Sequence, residues 1–188
     1  MKQNFLKKLW GKIFRSDDMQ AEGIQENFTG GPEVLTFCKA DFRYIDTGMY
    51  LFTDNTFSNK LQEGKNVRGI VLSRHGKSAL ILLPEEQNVV YERDRDYREF
   101  APQVLFAQKG MRAIKRMPTL EILQVMHWFQ KDLNQSLKEA GQPEIKGLYW
   151  SWAYERPYFR YDLEKGEKHL IKKECCAKAR FVLEMRPG

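Results

Sequence analysis

The fold is decided by residues 117–152, which read MPTLEILQVMHWFQKDLNQSLKEAGQPEIKGLYWSW. Thr119 is predicted to cap a helix, because a threonine hydroxyl can accept hydrogen bonds from the first free backbone amides, and Glu121 suits the positive end of the helix dipole. Side chains spaced four, three, four and four residues apart then form one apolar face: Ile122, Met126, Phe129, Leu133 and Leu137. Gly141 and Pro143 are predicted to end this helix.

Short apolar runs bounded by turn residues predict strands on both sides of the helix. The predicted strands are residues 34–37, 48–52, 57–58, 67–72, 78–83, 148–154, 158–163 and 179–183. Two of them, 67–72 and 78–83, are almost continuously apolar and flank a glycine-containing turn, which predicts a central hairpin. A second helix is predicted over residues 97–108, with Phe100, Val104 and Leu105 inside. The mixed charges of residues 85–99 indicate a solvated loop or a short exposed helix.

Net charge and composition favour one globular domain with a basic appendage. The chain has 188 residues, 42% of them hydrophobic and 13% aromatic, and a net charge of +6. Residues 1–15 hold five basic side chains and no acid, which leaves 26 basic and 25 acidic residues in the remainder. Because the domain itself is nearly neutral, it lacks the clustered basic face that nucleic acid requires, and nucleic-acid binding is disfavoured.

Residues 1–16 are predicted to form a basic amphipathic helix. Its apolar stripe consists of Phe5, Leu6, Leu9, Trp10, Ile13 and Phe14, with Lys8 and Lys12 among the basic residues on the other face. Such a helix can lie on an anionic membrane, dock into the groove of a partner, or fold back on its own domain. Residues 17–33 are predicted to be a linker. The segment lacks the apolar core of a secretory signal, so a cytoplasmic protein, with possible peripheral membrane contact, is expected.

Taken in order, these elements resemble a family of bacterial domains with a C-type-lectin-like fold. The family is abundant in gut Bacteroidetes and includes the repeated surface modules first noted in Fibrobacter and the C-terminal domain of the Legionella collagen-like adhesin. The matching motifs are GMYLFTDNTF at 48–57, GIVL at 69–72, MPTLE at 117–121, YWSW at 149–152 and ARFV at 179–182. The resemblance implies an α+β fold over residues 34–188, in which two helices accompany an antiparallel sheet.

The resemblance also implies a ligand surface between the aromatic strand and the last strand. In this sequence that segment departs from the family pattern and contains the predicted binding residues Trp152, Tyr154, Arg156, Tyr158, Arg160 and Tyr161. Tyr, Trp and Arg dominate interface energetics, so a non-catalytic module that binds a protein or a glycan is predicted. About half of the rings are expected to point into the core, because successive side chains of a strand alternate.

The alternative function is a peripheral membrane or scaffold component that docks through its N-terminal helix. The docking residues would be Phe5, Leu9, Trp10, Ile13, Lys8 and Lys12.

Catalytic and metal chemistry are not expected from this sequence. His75, His127 and His169 are scattered, and the spacings typical of zinc sites are missing. The calcium ligands of sugar-binding lectins are also missing around Pro143. The vicinal pair Cys175 and Cys176 is predicted to be reduced and to lie in an ordinary turn before the last strand. We therefore expect no enzyme activity and no cofactor.

Overall fold

The computed structural model describes residues 45–75, 78–108, 111–153, 156–171 and 175–187. Within these ranges the protein is a mixed α+β structure in which ten strands form one sheet and two α-helices pack against it. The strands are β1 (Tyr50–Phe52), β2 (Phe57–Ser58), β3 (Val67–His75), β4 (Ser78–Val90), β5 (Gln103–Gln108), β6 (Met111–Arg116), β7 (Leu148–Ala153), β8 (Arg156–Asp162), β9 (Glu167–Leu170) and β10 (Cys176–Pro187). The helices are α1 (Leu120–Trp128) and α2 (Gln130–Glu139), and a short 3-10 turn covers Arg98–Phe100.

The sheet branches at β10, which pairs with three other strands. Its main order is β2-β1-β3-β4-β10-β7-β8-β9, and β6, which carries β5, also pairs with β10. The first part of β10 lies between β4 and β7, with Lys178 in parallel register with Tyr149. The second part lies between β4 and β6, so that Val182 is opposite both Leu82 and Arg116. All other strand pairs are antiparallel.

The predicted long helix is two helices joined at Phe129, whose φ of −104° and ψ of 11° interrupt the helical path. Thr119 occupies the N-cap position with an extended backbone, but its side chain makes no capping hydrogen bond, so that prediction was wrong. The predicted end is confirmed. Gly141 has a φ of +67°, and its amide and that of Gln142 donate to the carbonyls of Lys138 and Leu137, as in a glycine-terminated helix.

Helix packing covers one face of the sheet. The buried cluster on this side combines strand residues such as Ile70 and Leu82 with Ile122, Met126 and Leu133 from the helices. The apolar stripe read from the sequence is therefore the part of the helices that meets the sheet. Four of the five stripe residues are fully buried, and the fifth, Phe129 at the junction of the two helices, is partly buried.

The segment before the helices differs most from prediction. Residues 97–108 are not a helix: the 3-10 turn at Arg98–Phe100 is followed by strand β5. Residues 85–90, predicted to be loop or helix, extend β4, and β6 and β9 were not predicted. The predicted helix 1–16, linker 17–33 and strand 34–37 lie outside the described residues.

Within the described ranges, no helix has the length and apolar character needed to cross a membrane.

Candidate functional site

The residues predicted to bind a ligand fall into three groups. Trp152 is only 6% exposed and Tyr161 is likewise buried, so neither ring is at the surface. Tyr158 is 47% exposed and Arg160 is half-buried. Tyr154 and the side chain of Arg156 lie outside the described part of the structure, as do the predicted docking residues of the N-terminal helix: Phe5, Lys8, Leu9, Trp10, Lys12 and Ile13.

Trp152 belongs to an aromatic cluster that holds β7 against the 3-10 turn. Its ring centroid lies 4.7 Å from that of Phe100 and 5.6 Å, edge to face, from that of Tyr97. The backbone amide of Trp152 donates to the carbonyl of Pro118 at 3.0 Å, which fixes the start of α1 against β7. Trp152 is therefore a core residue: its ring packs against two other rings and its backbone is hydrogen-bonded.

Tyr161 fixes the other end of the late segment to α1. Its ring lies edge to face with His127 at 6.3 Å, and burial raises the pKa of its hydroxyl. His127 in turn has its Nδ1 2.7 Å from the carbonyl oxygen of Leu163, in the turn between β8 and β9. The β8–β9 hairpin is thus held in one orientation on the helix.

The exposed side of this hairpin carries a compact group of side chains, which we call the edge surface: Tyr158, Phe159, Lys168 and Leu170. Leu170 is 68% exposed and lies directly opposite Phe159 across the β8–β9 pair. The ring centroids of Tyr158 and Phe159 are 4.3 Å apart and nearly perpendicular, and the ammonium of Lys168 lies 4.1 Å from the Phe159 centroid. An aromatic pair, a cation and an exposed aliphatic side chain therefore meet on β8 and β9, where the described sheet ends.

Arg160 and His169 form a second pair of neighbours on the same hairpin. They lie opposite each other, and Arg160 also lies opposite Trp150 on β7. The Nε of Arg160 and the Nε2 of His169 are shielded from solvent and make no hydrogen bond within the described residues. The Nε of an arginine is always a donor, so this buried donor has no acceptor among the described residues.

A buried polar network lies where β4, β7 and β10 meet. Tyr149 donates from its hydroxyl to Glu86, and Lys178 Nζ lies 2.8 Å from Glu86 Oε1. The fully buried Arg180 donates to the carbonyl oxygens of Leu83 and Pro143, at 2.7 and 2.9 Å. Burial is the main cause that raises the pKa of the Tyr149 hydroxyl, and the hydrogen bond to Glu86 raises it further.

This network joins three strands to the loop after α2, so it stabilises the fold. The sequence did not reveal it, because Glu86 stands in a run of mixed charges that indicates a solvated segment. No local signal marks the pair, because Glu86 and Arg180 come opposite each other only through the long-range register of β4 and β10.

Metal and thiol groups are sparse in the described ranges. No three His, Cys, Asp or Glu side chains there converge as the ligands of a metal ion would. Cys175 is buried and Cys176 is exposed, and both are free thiols at the start of β10. The predicted turn was wrong, because Cys176 already pairs with Val90 in β10 and the carbonyl of Cys175 accepts a hydrogen bond from the amide of Tyr91.

Comparison with known proteins gives no relative for this chain. No family model matches the sequence, and neither the curated proteins nor the solved structures contain a match. The resemblance to C-type-lectin-like domains therefore stays a hypothesis.

Proposed function

We propose that this domain is a non-catalytic binding module of C-type-lectin-like architecture that recognises a protein partner through the edge surface. The observation that carries the proposal is the exposure of Tyr158 and Leu170 beside the Phe159–Lys168 pair. Aromatic side chains and apolar groups near a cation are the composition that interface centres favour. In the resembling family, the segment between the aromatic strand and the last strand is also the one that forms much of the ligand surface.

A protein is favoured over a glycan by the arrangement of the rings. Sugars stack on open, flat aromatic faces, whereas the Phe159 ring has Lys168 over it and Tyr158 against it. Leu170 adds aliphatic area that offers a sugar little but that a protein side chain can bury. The rigid attachment of the hairpin to α1 through His127 reduces the entropy lost on binding.

The test uses a random-peptide library displayed on phage, selected on the full chain, and a glycan array probed in parallel. A selected peptide is titrated against the wild type and against Tyr158→Ala combined with Leu170→Ser. We expect the double variant to bind at least about tenfold more weakly, because two interface side chains are truncated. Lys131→Ala, which changes an exposed residue of α2, is the matched control and should bind like the wild type.

Three outcomes would contradict the proposal. One is a failure to select any peptide, and another is a peptide that binds the double variant as tightly as the wild type. The third is a glycan that binds in a Tyr158-dependent way while no peptide does, which would identify a lectin instead.

A further inference from the structure

Strand β9 forms one border of the described sheet. It pairs with β8 along its inner side, and no described strand pairs with its outer side. The side chains of Glu167, Lys168 and Leu170 are exposed, so the strand is open to solvent. A border strand presents unpaired backbone N–H and C=O groups, which another strand can bind. The outer side of β9 adjoins the edge surface, to which Lys168 and Leu170 belong.

The register of β8 determines which of its backbone groups face β9. Leu163, directly after β8, donates from its amide to the carbonyl oxygen of Gly147 at 3.0 Å, on the β7 side. Hydrogen-bonded positions of an antiparallel pair recur at every second residue, so Tyr161 also bonds toward β7. The backbone groups of Asp162 and Arg160 therefore point to the opposite side, toward β9.

In β9 the backbone groups that point outward belong to Lys168 and Leu170. Glu167 and His169 lie opposite the two β8 residues whose backbone groups face β9, so they exchange hydrogen bonds with β8. The N–H and C=O groups of Lys168 and Leu170 alternate with these and point away from β8. Two residues of the edge surface thus also offer a partner backbone donors and acceptors.

The side chains beside these backbone groups are of two kinds, apolar and cationic. Leu170 lies opposite Phe159, and Lys168 is two positions from Leu170, so the three lie on one face of the hairpin. An added strand would place one side chain beside Leu170 and another, two residues away, beside Lys168. An apolar residue suits the first position because it buries Leu170, and an acid suits the second because cross-strand pairs of opposite charge are favourable.

We propose, building on the proposed function, that the partner is an extended protein segment that adds to the outer side of β9 as an antiparallel strand. Its sequence is an apolar residue, any residue and then an acid, because an antiparallel segment passes Leu170 before it passes Lys168. A lysine on a border strand repels indiscriminate strand pairing. A segment that brings an acid to Lys168 is selected over others, since only that segment neutralises the charge.

A second copy of this chain is the competing occupant of the border. In an antiparallel pair of two β9 strands, outward-facing residues meet outward-facing residues. Lys168 would then lie opposite Lys168 or Leu170 of the second copy, and neither is an acid. Self-pairing opposes like charges or leaves the cation without a partner, so a separate acidic segment fits the border better.

The first test measures amide hydrogen exchange by NMR on the full chain. The probe is a peptide selected on the full chain whose binding is weakened by Tyr158→Ala combined with Leu170→Ser. We expect the amides of Lys168 and Leu170 to exchange at least about tenfold more slowly in the complex, because each gains a hydrogen bond. The amides of Glu167 and His169, which already bond to β8, are the internal controls and should change much less.

The second test N-methylates each amide of the same peptide in turn. Alternate amides of an added strand face β9, so a loss of affinity of about tenfold or more should recur at every second position. The peptides methylated at the positions between them should bind like the parent peptide.

The third test exchanges the charges. Lys168→Glu should bind the acidic peptide at least about tenfold more weakly. A peptide with lysine in place of the acid should bind Lys168→Glu more tightly than it binds the wild type. Lys131→Glu, the same charge change on an exposed residue of α2, is the matched control and should bind each peptide like the wild type.

Unchanged exchange rates at Lys168 and Leu170, or N-methyl effects without a two-residue period, would overturn the added strand. Because the peptide would still depend on Tyr158, the proposed function would stand. A lysine peptide that binds Lys168→Glu no better than the wild type would overturn the acidic partner. A dimer in sedimentation that slows the same two amides without peptide would identify a second copy as the occupant. If no peptide is selected at all, the proposed function fails and this inference fails with it.

Discussion

Trp152 and Tyr158 are six positions apart in the same aromatic segment, but the structure gives them opposite roles. Trp152 is packed against Phe100 and Tyr97, whereas Tyr158 is exposed. We expect Trp152→Ala to lower the free energy of unfolding by about 3–5 kcal/mol, because it empties a packed core site. Tyr158→Ala should change it by about 0.5 kcal/mol or less. Urea denaturation followed by circular dichroism measures both, and equal losses would contradict the assignment.

At the same scale, buried charge was beyond sequence reasoning. Arg180 and Glu86 are 94 positions apart, and nothing local to either marks them as partners. An arginine is buried only where the fold supplies acceptors, and here the carbonyl oxygens of Leu83 and Pro143 do so. Alternation did not help in β7 either, because four successive residues of this strand are buried, and Trp152, predicted at the binding surface, is one of them.

The contact between β1 and the end of α2 gives a pH dependence at the scale of elements. Tyr50 donates from its hydroxyl to Glu139 Oε2 at 2.7 Å, and burial together with Glu139 raises the pKa of Tyr50 from 10.0 to about 12. The folded protein keeps this proton to a higher pH than the unfolded chain does. The stability that the group contributes is therefore complete below pH 10.0 and is lost as the pH rises toward 12.

Tyr50→Phe should consequently lose less stability than the wild type between pH 10.0 and about 12, although it is about 1 kcal/mol less stable at neutral pH. Urea midpoints measured across that pH interval give the slope of stability against pH for each protein. Tyr158→Phe, which changes an exposed tyrosine, is the matched control and should keep the wild-type slope. Identical slopes for both variants would show that Tyr50 does not contribute to the alkaline loss.

An element could be predicted from the sequence when its own residues carried a clear apolar pattern. The helix pair and the β3–β4 hairpin have long periodic or continuous apolar runs, and both were predicted, apart from the break at Phe129. The sequence QVLFAQ of β5 is only six residues long, and its apolar spacing fits a helix as well as a strand. Its conformation is decided by pairing with β6, which itself pairs with the last strand of the chain.

At the scale of the whole molecule, the sheet depends on β10. β10 pairs with β4, β6 and β7, and it joins the two branches of the sheet. Its partners in β4 lie 86 to 106 positions earlier in the chain, from Val90 opposite Cys176 to Ala79 opposite Met185. Contacts of such high sequence separation form slowly and late, so the central part of the sheet cannot be completed before the C-terminal residues are available.

A stop codon after Arg180 tests this dependence. The truncation removes the part of β10 that lies between β4 and β6, and with it the core residues Val182, Leu183 and Met185. We expect the shortened chain to lose cooperative urea unfolding and dispersed amide resonances, because β6 loses its pairing with β10 and the core loses three buried side chains. Removal of Gly188 alone, which follows β10, is the control and should leave both signals intact. A truncated chain that still unfolds cooperatively would show that β3, β4 and the helices form a stable unit without the second part of β10.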